Sequence, residues 1–330
     1  MSKRASVLIA LALLSCVLAV MLMVWERPMH REQGKAGPRY DIEVILKAKA
    51  NPPDFWRIVE QGVSMGADEF QARCSITGPT HEKDVERQIE LVEEALARGP
   101  DAIILAAGDM DLLVPVCERI RRAGIPLIIM DSDINSGAKN SFVGTDNYEL
   151  GQKMAGLVDS LIGETERFGV VGHVAGTATA VDRSRGFLDS VLNAEARLAG
   201  LVYCDGLTEV AHRQTVELLR DNPDIRCMVG LNESSSLGIA TALAELGLTG
   251  RVKLVACDSS QQQIQYMEDG TLQAVVIQNP YNMGYLSVQA AVQMLQGRRV
   301  EPVVNTGCIV ITKEDMDTQE NQKLLFPFTE

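Results

Sequence analysis

The chain has 330 residues, 46% of them hydrophobic, and a formal net charge of −13. This length allows two domains with separate cores, and the composition excludes a disordered chain, a collagen-like fibre and a polytopic membrane protein. The acidic balance argues against a nucleic-acid partner, because phosphate backbones attract clustered Lys and Arg. The seven cysteines are far apart and lack metal-ligand spacing, so neither a metal site nor a disulfide framework is expected.

The N-terminus predicts the cellular compartment. Lys3 and Arg4 precede the uncharged residues 5–25, and a helix of that length would be roughly 31 Å long, enough to cross a bilayer. Three alternatives stay open: a retained signal anchor, a lipoprotein signal acylated at Cys16, and a cleaved signal peptide. The length of the apolar run and the lack of a small-residue cleavage site favour the anchor. In each case the body of the protein lies outside the cytoplasm, after a short polar tether.

From residue 42 onwards, apolar runs of strand length alternate with stretches of helical spacing. The predicted strands are residues 42–46, 102–106, 126–130, 169–171, 228–231, 253–256 and 273–277. The predicted helices include residues 146–162, 180–192, 208–221, 234–246 and 283–295. This alternation predicts parallel sheets with helices on both faces. We therefore expect an α/β fold of two Rossmann-like lobes, preceded by one N-terminal membrane segment.

Polar side chains follow four of the predicted strands, at the point where each apolar run ends. They are Asp131, Asn232, Asp258 and Gln278. In open α/β sheets ligands bind outside the carboxyl ends of the strands, so the four side chains together predict a polar pocket. Each residue alone could instead be a helix N-cap or a turn residue, because Asp and Asn favour those positions.

The residue types suit a neutral polyhydroxylated ligand. Each hydroxyl group both donates and accepts, so carboxylates and the side chains of Asn, Gln and Arg can satisfy several hydroxyls at once. Phe55 and Trp56 could supply aromatic faces for the C–H side of a ring, and Arg183 stands where a loop enters a helix. Phe55 could instead begin the apolar stripe of its helix, and Arg183 could form a surface ion pair with Asp182.

These residues belong to a longer series of motifs. The series consists of Phe55-Trp56 with Gly62, residues 128–133, residues 143–151, Arg183-Ser184-Arg185-Gly186-Phe187, Gly230-Leu231-Asn232-Glu233, Cys257-Asp258 and Gln278-Asn279-Pro280-Tyr281. With these motifs in this order and spacing, residues 41–311 resemble the periplasmic sugar-binding proteins of the ribose-binding type, which serve ABC transporters.

The resemblance implies a fold, a ligand and a set of binding residues. The sugar ligands that it implies are Phe55, Trp56, Asp131, Arg183, Asn232, Asp258 and Gln278. It also implies a type I periplasmic binding fold, with crossovers near Thr145, Asn279 and Asn305 and a hinge motion that closes the lobes. A monosaccharide, an ABC transporter permease, no cofactor and a monomeric state are implied as well.

The domain boundaries follow from those crossovers. Residues 1–33 would be the signal anchor and tether. Residues 34–145 plus 279–306 would form lobe 1, and residues 146–278 plus 307–330 would form lobe 2.

The chain departs from the family pattern at three places. Ser132 stands where an arginine is common, the Asn expected before the aromatic pair is replaced within residues 51–54, and a second aromatic residue is missing near Gly206-Leu207. Ribose is therefore not implied, and the sequence leaves the sugar open.

Three other functions deserve comparison with sugar transport. The run Gly62-Val63-Ser64-Met65-Gly66 matches the G-x-S-x-G of α/β-hydrolases, but it lies in a helical pattern and not at a strand-to-helix turn, so no enzyme is expected. A repressor of the lactose type would carry a basic helix-turn-helix where this chain has an apolar segment. A retained anchor leaves one alternative open, a membrane-anchored sugar sensor beside a histidine kinase or chemoreceptor.

Overall fold

The structure is a computed structural model that describes residues 39–49 and 53–325. The predicted membrane segment and tether, residues 1–33, lie outside the described residues, and so does Asn51. In the part of the chain that is described, no helix is long and apolar enough to cross a bilayer.

Strands and helices alternate along the chain. The strands are β1 (Tyr40–Ile45), β2 (Ala72–Thr77), β3 (Ala102–Leu105), β4 (Leu127–Met130), β5 (Ser141–Gly144), β6 (Arg167–Gly172), β7 (Leu198–Tyr203), β8 (Ile225–Gly230), β9 (Lys253–Cys257), β10 (Ala274–Gln278), β11 (Val303–Asn305) and β12 (Cys308–Thr312). The helices are α1 (Asp54–Phe70), α2 (Val85–Arg98), α3 (Val114–Arg122), α4 (Asn147–Leu161), α5 (Ala178–Ser190), α6 (Ala194–Arg197), α7 (Thr208–Asp221), α8 (Glu233–Glu245), α9 (Gln261–Glu268), α10 (Pro280–Leu295) and α11 (Gln319–Leu325).

The strands form two sheets of the same internal order. The first sheet runs β2-β1-β3-β4-β5-β11 and is parallel throughout. The second runs β7-β6-β8-β9-β10-β12 and is parallel except for the antiparallel pair β10–β12. We call the first sheet with its helices lobe 1 and the second sheet with its helices lobe 2. The prediction of two α/β lobes is confirmed.

The chain passes between the two sheets three times. It leaves β5 for α4, returns from β10 to α10, and passes from β11 to β12. Helix α10 packs against α1 and lies over β3, β4 and β5, so it belongs to lobe 1 although it follows the strands of lobe 2 in sequence.

The central strands are buried on both faces because helices cover each sheet. Every residue of β3 and β4 is buried, which explains why these strands were readable as continuous apolar runs. The edge strands β2 and β7 have no such run, since most of their residues are at least partly exposed. The sequence patterns therefore identified the central strands more readily than the edges.

Helices α1 and α10 approach each other closely through glycines. A Cβ atom on Gly62 would overlap the carbonyl oxygen of Tyr281, and a Cβ atom on Gly284 would overlap that of Val59. The G-x-S-x-G run therefore lies inside a helix, where its first glycine allows close backbone packing. This contact holds the N-terminal end of α1, with Phe55 and Trp56, in place on lobe 1.

Candidate functional site

A cavity lies where the carboxyl ends of the strands in both lobes meet. The residues that line it are Lys47, Pro53, Phe55, Trp56, Glu82, Asp131, His173, Thr179, Arg183, Asn232, Glu233, Asp258 and Gln278. All seven residues that the sequence singled out are among them.

A buried ion pair forms part of the wall in lobe 1. Asp131 directly follows β4 and is 3% exposed, and its Oδ2 lies 2.8 Å from the Nζ of Lys47, which is equally buried. The same ammonium group lies 5.6 Å from the centre of the Trp56 ring. Lys47 therefore neutralises one cavity carboxylate and also contacts the aromatic wall.

The aromatic pair stands at the first turn of α1. The rings of Phe55 and Trp56 meet edge to face, with centroids 5.0 Å apart. The indole N–H of Trp56 donates to the Oε1 of Glu82 at 2.7 Å. Trp56 is buried in the lobe 1 core as well as lining the cavity.

A second carboxylate occupies the wall in lobe 2. Asp258 follows β9, and its Oδ1 accepts a hydrogen bond from the side-chain amide of Gln278 at 2.6 Å. Its Oδ2 accepts from the backbone N–H of Glu233 at 3.0 Å. These two bonds orient the Asp258 carboxylate, and no described cation forms an ion pair with it.

Arg183 does not form the surface ion pair that was the alternative for it. It is 2% exposed; its Nε donates to the Oδ1 of Asn147 at 2.8 Å, and its Nη1 donates to the carbonyl of Leu231 at 2.8 Å. Asp182 pairs with Arg185 instead. Arg183 is thus a guanidinium group held in a fixed orientation at the cavity wall.

Asn232 is both a helix N-cap and a cavity residue, so the two alternatives for it are compatible. Its Oδ1 accepts from the backbone N–H of Ser235 and caps α8, and the Ser235 hydroxyl accepts from the Asn232 backbone N–H in return. The same side chain lines the cavity. A helix cap at a strand end can therefore also be a cavity residue, because the capping hydrogen bond uses Oδ1 and thereby fixes the orientation of the Nδ2 group.

Six lining residues were missed by the sequence analysis. Lys47 follows β1 and His173 follows β6, so the strand-end rule would have found both had it been applied to those strands. Glu233 is adjacent to Asn232, but nothing in its position distinguishes it from a helix residue. Pro53, Glu82 and Thr179 lie on loops or a helix start, where no local pattern marks them.

His173 is a buried neutral group in this wall. Its Nε2 lies 2.8 Å from the Thr179 hydroxyl and 3.2 Å from the Thr177 hydroxyl, while its Nδ1 has no hydrogen-bond partner among the described residues. Burial, assisted by the positive charges of Arg183 and Lys47, holds the pKa of His173 well below its usual value. The imidazole is therefore uncharged at neutral pH.

Among the described residues, polar contacts join the two lobes at the cavity and beside it. The Nζ of Lys47 lies 3.4 Å from the Thr179 hydroxyl, and the Met110 backbone N–H donates to the carbonyl of Gly176 at 2.9 Å. The third contact is made by the carboxyl group of Glu233, which accepts from the backbone at the start of α1. The lobes are therefore in direct contact at the cavity in this structure.

Residues 42–299 match a family described as a periplasmic binding protein domain. The D-ribose/D-allose-binding protein of Pseudomonas aeruginosa is 26% identical over 282 residues, which cover 83% of this chain and 88% of the relative. A sugar transporter from Clostridium phytofermentans has 35% identity and a TM-score of 0.79, with 83% of this chain and 99% of that chain covered. A carbohydrate transporter solute binding protein from Agrobacterium radiobacter, in complex with D-arabinose, has 27% identity and a TM-score of 0.82, with 87% and 98% covered.

These similarities confirm the resemblance that the motifs indicated. They also confirm the prediction that the chain is not an enzyme, because the family is one of binding proteins. The family match extends over well more than half of the chain, from the first strand of lobe 1 to the end of α10. The chain therefore belongs to the periplasmic binding protein domain family.

Proposed function

We propose that this chain binds one monosaccharide in the cavity between its lobes, outside the cytoplasm, and delivers it to an ABC importer. The observation that carries the proposal is the pair of buried carboxylates, Asp131 and Asp258, on opposite walls of one cavity. The relative named for D-ribose and D-allose, and the solved structure in complex with D-arabinose, support a monosaccharide as the ligand class.

The cavity offers what sugar hydroxyls need. Carboxylates of Asp131 and Asp258 accept hydrogen bonds, whereas Arg183 and the amide group of Asn232 donate them. The face of Trp56 suits the C–H side of a pyranose or furanose ring. A hydroxyl missing from the ligand would leave one of these buried groups unpaired, at a cost of about 1–3 kcal/mol, so deoxy analogues would bind more weakly.

Binding would proceed by closure of the lobes. The proposed moving units are residues 34–145 plus 279–306 and residues 146–278 plus 307–330, with the three crossovers as the hinge. Lys47–Thr179 and Met110–Gly176 are contacts that would form when the units close. Closure would expel water from the cavity, and the fixed side chains would then hold the sugar without any chemical step.

We further propose that the chain acts as a monomer held at the membrane by residues 5–25. A retained apolar segment would also suit the second candidate, a membrane-anchored sensor that presents its ligand state to a histidine kinase or chemoreceptor. The observation that favours this candidate is the length of the uncharged run. Mass spectrometry of the N-terminus tests the anchor: an intact N-terminus would support the retained segment and make the sensor more credible, whereas cleavage, or acylation at Cys16, would contradict it and favour transport.

The binding experiment uses the full chain in detergent with Trp25→Phe, which leaves Trp56 as the one tryptophan. We expect a saturable change in fluorescence with one member of a panel of pentoses, hexoses, inositols and furanoses, and heat of binding for the same sugar in calorimetry. If both measurements were silent across the panel, the sugar-binding proposal would be wrong, and the fold assignment would stand.

A further inference from the structure

Helix α1 carries Phe55 and Trp56 but has no cap of its own. Its N-cap residue is Pro53, and no side chain from that position accepts a hydrogen bond from the first turn. The first backbone N–H groups of a helix have no partner within the helix and need one from elsewhere. In this structure the partner comes from the other lobe.

Glu233, the first residue of α8 in lobe 2, supplies that partner. Its Oε1 accepts from the backbone N–H of Asp54 at 3.2 Å, and its Oε2 accepts from that of Phe55 at 3.3 Å. Its own backbone N–H donates to the Oδ2 of Asp258 at 3.0 Å. One residue therefore connects the aromatic end of lobe 1 to the carboxylate turn of lobe 2.

The charge on Glu233 is poorly compensated. The residue is 6% exposed, and Arg57, on the helix that it caps, forms its ion pair with Asp54 instead. Asp258 faces it from β9, and Glu82 from the loop after β2. His81 and Glu209 line a neighbouring cavity that shares Glu233 as a wall residue. The N-terminus of α1 and the charge of Arg57 act against these acids. Lys47 and Arg183 line the same cavity, where they contact Asp131 and Asn147 respectively.

From this arrangement we propose that Glu233 is a positioning residue that caps α1 across the cleft when the lobes close. Closing the cleft also buries its carboxyl group beside Asp258, so closure and protonation of Glu233 are coupled. The inference rests on the proposed sugar binding. Opening the cleft would break both hydrogen bonds to α1 and return the carboxyl group to water. Phe55 and Trp56, at the start of α1, would then lose their fixed position relative to Asp258.

The direction of the pH effect follows from burial. Burial, with the nearby charge of Asp258, raises the pKa of Glu233 from its ordinary value of 4.5 to about 7 in the closed structure. At about pH 7 the carboxyl group is therefore about half protonated in the closed state, whereas in the open state it is almost fully ionised. Acidification from about pH 8 to about pH 6 consequently favours closure, so the contribution of Glu233 to the association constant for sugar rises as pH falls.

The test compares the full-length wild type with Glu233→Gln, using D-ribose, D-allose or D-arabinose, whichever binds most tightly. Gln keeps an acceptor oxygen for α1 but does not titrate. The ratio of wild-type to variant association constants should rise about tenfold from about pH 8 to about pH 6. Because both proteins contain His173 and every other titrating group, the ratio isolates Glu233. Glu217→Gln, which changes an exposed acid on α7 that lines neither cavity, is the matched control and should follow the wild-type pH profile.

A second measurement does not depend on comparing affinities. Calorimetry at about pH 7 in two buffers of different ionisation enthalpy counts the protons taken up per sugar bound. The wild type should take up about half a proton more than Glu233→Gln. Glu233→Ala, which removes the cap, should weaken binding about fivefold even at the acidic end of the range.

The possible failures are distinguishable. A flat affinity ratio together with equal proton uptake in wild type and Glu233→Gln would overturn the role of Glu233 while leaving sugar binding intact. If Glu233→Gln did not fold, absence of proton uptake by the wild type alone would overturn it. No binding of any sugar by the wild type would overturn the proposed function, and this inference with it.

Discussion

Asp131 and Asp258 occupy equivalent positions in the two lobes. Each follows the fourth strand of its sheet, and each has a left-handed backbone, with φ of 62° and 69° respectively. The Asp131 N–H donates to the carbonyl of Val143 at 2.9 Å, and the Asp258 N–H donates to that of Val276 at 3.1 Å, each on the neighbouring strand. Asp tolerates this conformation better than most residues. The same turn therefore presents a carboxylate to the cavity from either side.

Asp258→Asn should weaken sugar binding about thirtyfold, equivalent to about 2 kcal/mol, because a hydrogen-bonded charge is lost. The fold should persist, since Asn also accepts the left-handed conformation and can still accept from Glu233. Calorimetric titration measures the affinity, and thermal unfolding measures the stability. Asp68→Asn, an exposed acid on α1, is the control. Wild-type affinity in Asp258→Asn would contradict the site assignment.

Lys47→Met should lower the free energy of unfolding by about 3–5 kcal/mol, because it leaves the buried Asp131 carboxylate without its partner. Adding Asp131→Asn should recover at least half of the loss, since the uncompensated charge is then gone. Lys139→Met breaks the more exposed pair with Asp133 and should cost less than about 1 kcal/mol. Denaturant unfolding of the four proteins tests this, and equal losses for Lys47 and Lys139 would refute it.

His173→Gln should reduce the acid sensitivity of the fold. The pKa of His173 is well below its ordinary 6.5 in the folded protein, so the unfolded chain binds a proton that the native state rejects. Wild-type stability is therefore lost as pH falls below about 6.5. Between about pH 7.5 and about pH 5.5 the wild type should lose about 1 kcal/mol more than the variant.

Denaturant unfolding of both proteins at the two pH values gives this difference. Glu233 titrates in both, so its opposite contribution cancels. Parallel losses in the wild type and His173→Gln would show that the imidazole is not the acid-sensitive group.

Gly62→Ala and Gly156→Ala should change stability in opposite directions. A methyl group on Gly62 meets the backbone of α10, and such overpacking typically costs about 1–3 kcal/mol. A methyl group on Gly156, in the middle of α4, meets nothing, so helix propensity should raise stability by about 0.5–1 kcal/mol. Thermal unfolding measures both, and a stabilised Gly62→Ala would contradict the close contact of α1 with α10.

The sequence by itself determined the α/β class, the two lobes and the polar residues at the strand ends. It could do so because these features are local: a buried parallel strand is a continuous apolar run, and the residue that ends it stands at the ligand-binding edge of the sheet. The four strand-end residues, Asp131, Asn232, Asp258 and Gln278, all line one cavity for this reason. Arg183 and the aromatic pair were proposed from their residue types and their positions at helix starts, with a structural alternative left open for Arg183 and Phe55, and the motif series then included all three.

Tertiary structure alone decided how the cavity residues are paired. Lys47 contacts Thr179 across 132 positions of sequence, and Glu233 reaches the first turn of α1 across 178 and 179 positions. The strand-end position of Lys47 signals a cavity residue but not its partner, and a Glu at a helix start, such as Glu233, is typical of solvated surfaces. These side chains become buried, and acquire the partners that buried polar groups require, only where the two lobes are in contact. The energies of the contacts therefore depend on the tertiary structure.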